Sequence, residues 1–442
     1  MQYSISIVLS CLVIFCFMPM REKSSVIRNS DSDATLPFMQ QHRENTSDQI
    51  TLRQTLPDSS ENLEAAYMRL GFSPDGRTLI TGPAHKEAKV WDVLSGKLVV
   101  ALKGKSTGSV ASYSPDGKYV ITAPGKDLVI WNAQTGELIK KISAVGGIQA
   151  VGGIIKVQYT ANGSYLLGTD GTCRGTVVDL TAMSKIKEIM PKSFLGKNNY
   201  ENGALSLSPD GQTVLGVCGG NSKIRLYAIQ TGKELKTFPA HQGTYADGTD
   251  FYETHSVMFL PDGRRFVTLG IGGMKLWDVA TGQQLTNFAK HRSTIYDVFL
   301  SPDTKLLGAV SRDGTAILWD WEQGKEKHTF SGYKSFVSRL AFSSDGKIIA
   351  AGGKEVRAWD VETGRLLTSI DNKEQEVKEL IFTKQGEWLI VSDEKKVTVW
   401  NPQSGVLVRE LGNARAPIAI SADGKILATR GMQKDVLLWD LQ

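Results

Sequence analysis

Residues 338–370 read SRLAFSSDGKIIAAGGKEVRAWDVETGRLLTSI, and this stretch decides the fold. Ser338-Arg339-Leu340-Ala341-Phe342 runs into the turn Ser343-Ser344-Asp345-Gly346. A second apolar run follows over 347–351, a third over 355–359, and a turn through Glu362-Thr363-Gly364 leads to a fourth over 365–370. Runs this short, rich in β-branched and aliphatic residues and bounded by Asp and Gly, predict four strands in antiparallel succession. In such turns Pro presets φ, Asp bonds back to its own backbone and Gly accepts a positive φ.

The same unit recurs along the chain. The turn motif begins at residues 73, 114, 160, 208, 260, 301, 343, 383 and 421, so successive copies are 38 to 52 residues apart. A second motif follows each one: Trp91-Asp92, Trp131-Asn132, Val178-Asp179, Tyr227-Ala228, Trp277-Asp278, Trp319-Asp320, Trp359-Asp360, Trp400-Asn401 and Trp439-Asp440. Nine matched pairs in register are not a product of chance. One four-stranded unit cannot bury both faces of its sheet, so the copies must stack, and a closed ring removes the free sheet edges. The ends of the chain show how the ring closes. The ninth unit stops after its third strand, and residues 50–56 (Ile50-Thr51-Leu52-Arg53-Gln54-Thr55-Leu56) read as an orphan fourth strand upstream of the first unit.

These motifs resemble the WD-repeat family over residues 50–442. The resemblance implies an all-β protein, a β-propeller of four-stranded blades, with strand 50–56 completing the C-terminal blade. Repeats are read here as nine blades, above the usual four to eight. Units three and four lack the Trp, so eight blades with one displaced unit is the alternative. Unit six matches the family's buried hydrogen-bond network most completely, with His291, Ser311, Asp313 and Trp319 at the corresponding positions. The resemblance implies a structural role for these four, not a catalytic triad. His241 falls at the same structural His position of its own unit.

Composition excludes several classes. The 442 residues carry 51 basic and 46 acidic side chains spread along the chain, a net charge of +5. A nucleic-acid partner would call for basic residues clustered on one face, and none is expected. Four cysteines, Cys11, Cys16, Cys173 and Cys218, form no C-x-x-C motif, so neither zinc nor a redox pair is expected. A disulfide between Cys173 and Cys218 is one reading for an exported protein, and two separate thiols is the plainer one. No catalytic set and no cofactor is expected.

Residues 4–18, SISIVLSCLVIFCFM, carry no charge. Residues 1–20 therefore read as a signal peptide or membrane anchor, although no Lys or Arg precedes the run. Polar residues 21–49 read as a disordered linker, long enough to span about 30 Å as a flexible coil. The expected location is exported or membrane-anchored at the cell envelope, with the cytoplasm as the alternative.

Loop lengths point to the functional face. The connections entering units three, four and five, residues 143–156, 191–203 and 239–255, are enlarged and consecutive, on the face called upper below. Loops on a rigid scaffold commonly carry binding function. Partner-binding candidates are Lys197, Asn199 and Tyr200 in the second, and Tyr245, Asp247, Asp250, Phe251, Tyr252 and Glu253 in the third. Aromatic residues beside charged ones suit an interface hot spot. Asp247, Asp250, Glu253 and His255 match no metal-site spacing, so no metal is assigned. The expected function is a non-catalytic scaffold binding a protein or peptide through the upper rim. An envelope ligand sensor and a quinoprotein-like propeller enzyme are the alternatives.

Overall fold

The computed structural model describes residues 50–441 apart from 58–68, 83–86, 104–109, 124–126, 144–153, 161, 171–174, 190–202, 219–222, 240, 245–249, 253, 271–272, 373–374, 385 and 434. The expectations for residues 1–49 and for Cys173 lie outside the described residues.

Nine four-stranded antiparallel sheets form, one per repeat, and no helix is present among the described residues. Blades one to eight occupy residues 69–102, 111–143, 154–189, 203–238, 254–288, 295–330, 339–371 and 379–411. The ninth joins 414–441 to the strand Ile50–Leu56, which lies outermost and pairs antiparallel with Val436–Leu441. Blades three and four, which lack the Trp, are complete, with Val178 and Tyr227 buried in its place. That settles the count at nine rather than eight.

Each lower turn is closed by its own side chains. In the first, Ser73 Oγ donates to Asp75 Oδ1 at 2.6 Å, and the Thr78 N–H donates back to Ser73 Oγ at 3.0 Å. Gly76 holds φ at +72°. The sixth copy puts Thr304 at that position with φ +62°. A β-branched residue there costs about 1–2 kcal/mol, partly offset because glycine loses more backbone entropy on folding. Thr304→Gly is therefore expected to stabilise the protein by about 0.5–1 kcal/mol, read as a raised urea midpoint at unchanged slope.

The core is nine apolar clusters, one at each junction between neighbouring blades. Closure is visible in two of them. Leu56 packs with Leu79 and Trp91 of blade one and Val436 and Leu438 of blade nine. Ile50 joins Val397, Leu411 and Trp439 at the junction of blades eight and nine. The first strands of successive blades touch one another, which places them at the hub around the central channel.

Candidate functional site

The third enlarged connection is not a bare loop. Gln242–Thr244 and Asp250–Tyr252 pair antiparallel as a small separate hairpin. One residue after Tyr252, the chain enters Thr254–Phe259, the innermost strand of blade five. The hairpin therefore stands in the connection from the outermost strand of blade four to the innermost strand of blade five. Of the predicted rim residues, Asp250, Phe251 and Tyr252 lie on this hairpin. Lys197, Asn199, Tyr200, Tyr245, Asp247 and Glu253 lie outside the described residues. Among the described residues no group of three or more His, Cys, Asp or Glu side chains could hold a metal.

The foot of the hairpin is pinned by His241. Its backbone N–H donates to Thr254 Oγ1 at 2.9 Å, and its Nε2 lies 2.8 Å from Thr268 Oγ1. Thr268 Oγ1 also accepts the indole N–H of Trp277 at 2.9 Å. One buried hydroxyl thus ties the hairpin's foot, the second strand and the Trp strand together. Thr81, Thr122 and Thr429 accept from Trp91, Trp131 and Trp439 in the same way, at 2.9–3.0 Å. Sequence reasoning missed these pairs. Their signal was a threonine nine or ten residues before each Trp. Thr268→Val is expected to cost about 2–3 kcal/mol, because it strands a buried indole N–H and removes a partner of His241. Thr81→Val, which strands one donor only, is expected to cost about 1–2 kcal/mol in the same urea titration.

Blade six is wired differently. Its register sets Trp319 opposite Leu307, so the residue two further along, where blades one, two, five and nine have threonine, is Ala309. Ser311 lies two residues beyond that. Its hydroxyl donates to Thr294 O at 3.0 Å and accepts the Asp313 N–H at 3.2 Å. His291 meets Thr315 and Asp313 instead, with Nδ1 2.9 Å from Thr315 Oγ1 and 3.4 Å from Asp313 Oδ2. Its ring stands edge-on to Trp319 at 5.6 Å between centroids. The structure brings His291, Asp313 and Trp319 together, while Ser311 serves the turn backbone. Burial pulls the imidazole below its ordinary pKa, against the opposing pull of Asp313. Burial also disfavours the Asp313 carboxylate, but the Thr315 hydroxyl, the Arg292 N–H and His291 outweigh it and hold its pKa low. A neutral imidazole braced on an ionised carboxylate, with the serine hydroxyl turned to backbone carbonyls, makes a brace and not a nucleophile–base pair.

A second feature lies at the hub. One register position of the innermost strands carries Arg69, Lys156, Asp297, Arg339, Glu379 and Arg415, opposite Gly82, Thr169, Val310, Gly352, Ser392 and Arg430. These six belong to blades one, three, six, seven, eight and nine. Burial pushes Asp297 up to about 7, against a bond from the Val298 N–H and the pull of Arg339 and Lys156. Glu379 is also raised by burial. It accepts the Ile418 N–H of blade nine at 2.7 Å, and Arg339 and Arg69 pull it back. Arg339 Nε donates to Lys378 O and its Nη1 to Ser338 O.

A model of the WD domain, G-beta repeat, matches residues 282–320 and 324–360. Each match takes the outermost strand of one blade and the first three of the next, the same offset by which Ile50–Leu56 closes the ring. The chain is a WD-repeat β-propeller.

Relatives of the propeller include the serine-threonine kinase receptor-associated protein of Gallus gallus, 26% identical over 55% of this chain and 63% of that protein. The angio-associated migratory cell protein of Canis lupus familiaris is 24% identical over 55% and 56%. Autophagy-related protein 16 of Arabidopsis thaliana is 26% identical over 59% and 49%. The propeller thus spans less than two thirds of the length of these relatives.

Proposed function

We propose that this propeller is a non-catalytic scaffold that binds a protein or peptide partner across its upper face. The observation that carries the reading is the hairpin Gln242–Thr244 and Asp250–Tyr252, which leads directly into the hub strand of blade five. It is set on a foot that Thr268 holds rigid. A short two-stranded sheet has no core of its own, and its edges, paired with no further strand among the described residues, suit pairing with an extended segment of a partner. A relative named for association with a receptor kinase is consistent with a binding role. The test replaces residues 242–252 with a short Gly-Ser turn, leaving His241 and Thr254 in place. Affinity capture followed by mass spectrometry should lose a defined subset of partners. An unchanged set at unchanged affinity would refute the reading.

We further propose that residues 4–18 direct the protein to the cell envelope, on the strength of 15 uncharged, mainly apolar residues. This segment lies outside the described residues. Fractionation of cells expressing the full chain should place it with membranes or outside the cytoplasm. Recovery in the cytosol with an intact N-terminus would overturn this.

A further inference from the structure

The outermost strands divide the rim of the ring into an apolar and a polar part. At the register position opposite the Trp, blades seven, eight, nine, one and two carry Leu366, Leu407, Leu52, Leu98 and Leu138, each 44–57% exposed. The equivalent position holds Lys185, Glu234, Gln284 and Glu326 in blades three to six. Blades four and five expose a single leucine one residue further on, Leu235 and Leu285. In blades one and two that next residue is apolar and exposed as well, Val99 and Ile139. Charge is uneven too. The strands Ile50–Leu56, Leu98–Leu102 and Leu138–Ser143 carry Arg53, Lys140 and Lys141 and no carboxylate, and their flanks add Lys97, Lys103 and Glu137. Arg53 is paired with Asp440 and Lys141 with Asp127, while Lys97, Lys103 and Lys140 are exposed. Blades seven and eight instead carry Asp371 and Glu410 in this strand. A contiguous row of exposed leucines marks a contact surface. Residues 1–49 join this row at Ile50, two residues before Leu52, in the middle blade of the five.

We propose that the outer rim of blades nine, one and two is a membrane-contact surface, which rests its exposed leucines on the headgroup region of an anionic phospholipid bilayer. The proposal rests on the reading that residues 4–18 direct the chain to the envelope, and it says how the propeller sits there. A flat surface meets a convex rim along a limited arc. Blades nine, one and two are the arc that combines exposed apolar side chains, a surplus of cations and the entry of residues 1–49. As a flexible coil, residues 21–49 would allow about 30 Å between an anchored segment and Ile50, which holds this rim near the bilayer at high effective concentration. A shallow contact by a few leucines and lysines is weak by itself and suffices when tethered. The tether also favours a bilayer over a second copy of the chain, because an apolar segment that enters a membrane brings this part of the rim to it.

The test follows hydrogen exchange of the full chain, resolved at residues 98–102 and 138–143, with and without vesicles of phosphatidylcholine and phosphatidylserine. Both strands should exchange about threefold or more slowly on the vesicles, while 325–330 in blade six should not change. Leu98→Glu/Leu138→Glu should remove that slowing, whereas Leu235→Glu/Leu285→Glu, on the opposite part of the rim, should leave it as in the wild type. Should the first double variant fail to fold, Lys97→Gln/Lys140→Gln carries the test and should cut the slowing about twofold. Vesicles bound through residues 4–18 while 98–102 and 138–143 exchange as in solution would overturn the contact and leave the envelope reading intact. Equal slowing on phosphatidylcholine alone would overturn its assignment to an anionic surface. Slowing that appears without vesicles as protein concentration rises would give the rim to a second copy of the chain and overturn the bilayer. The envelope reading is decided separately, by fractionation of cells.

Discussion

Leu56→Asp is expected to abolish the cooperative unfolding of the propeller, whereas Thr55→Asp, one residue earlier, should change stability by less than about 0.5 kcal/mol. The two positions differ only in which way the strand turns them. Leu56 is fully buried among Leu79, Trp91, Val436 and Leu438, at the junction where the last blade meets the first. Thr55 faces solvent. Removing the Leu56 side chain forfeits about 2–5 kcal/mol, and placing a carboxyl in the same apolar junction adds several more. The sum rivals the whole net stability of a folded domain, about 5–15 kcal/mol. Trp91 lies in the same cluster, so urea titration followed by tryptophan fluorescence reads the seam directly. A Leu56→Asp protein with a sharp transition near the wild-type midpoint would show that the seam does not hold the ring.

Asp297→Asn is expected to stabilise the protein by about 2–4 kcal/mol at pH 8 and to leave it nearly unchanged at acid pH. The sign follows from the direction of the shift. The carboxyl titrates at an ordinary 3.8 when unfolded and at about 7 when folded, chiefly because burial disfavours its ionised form. Between those values the folded protein holds a proton that the unfolded chain has released. Stability is therefore full below pH 3.8, falls as pH rises, and has lost its whole contribution above about 7. Glu379 is shifted the same way and adds to the slope. An asparagine cannot ionise, so urea midpoints at pH 5 and pH 8 should lie closer together in the variant than in the wild type. An equal pH dependence in both would place the titration elsewhere.

The ring was legible because its signals are local and repeated. The turn motif, Asp-Gly in six of its nine copies, is closed by bonds within five residues, so it announces itself without help from the fold. The closing strand was legible for a related reason: a run of strand character stood unpaired at one end while a strand was missing at the other. Its facing was less so. Alternation alone would bury Leu52 with Ile50 and Leu56, yet Leu52 is 49% exposed. A bulge between Leu52 and Gln54, like those beside the Trp of other blades, resets the alternation, so Ile50 and Leu56 face opposite sides of the strand, toward blade eight and blade one.

The candidate site was less legible because it depends on register. The family resemblance set Ser311 in the Trp network, but only the pairing of Trp319 with Leu307 shows that Ala309 takes the place of the threonine of blades one, two, five and nine. The hairpin hides in the third enlarged connection because Gln242–Thr244 and Asp250–Tyr252 are three residues each, too short for periodicity to declare. The charges at this register position stand 36 or more residues apart along the chain. They become one feature only when nine strands are set side by side.

Hydrogen exchange of the native protein, resolved at residues 50–56, tests the closed ring most directly. The amides of this strand that face Val436–Leu441 should be protected to the same degree as those of Val436–Leu441 itself, since the two strands open together. Exchange of every amide in 50–56 within seconds, beside a protected 436–441, would contradict the closure on which the account depends.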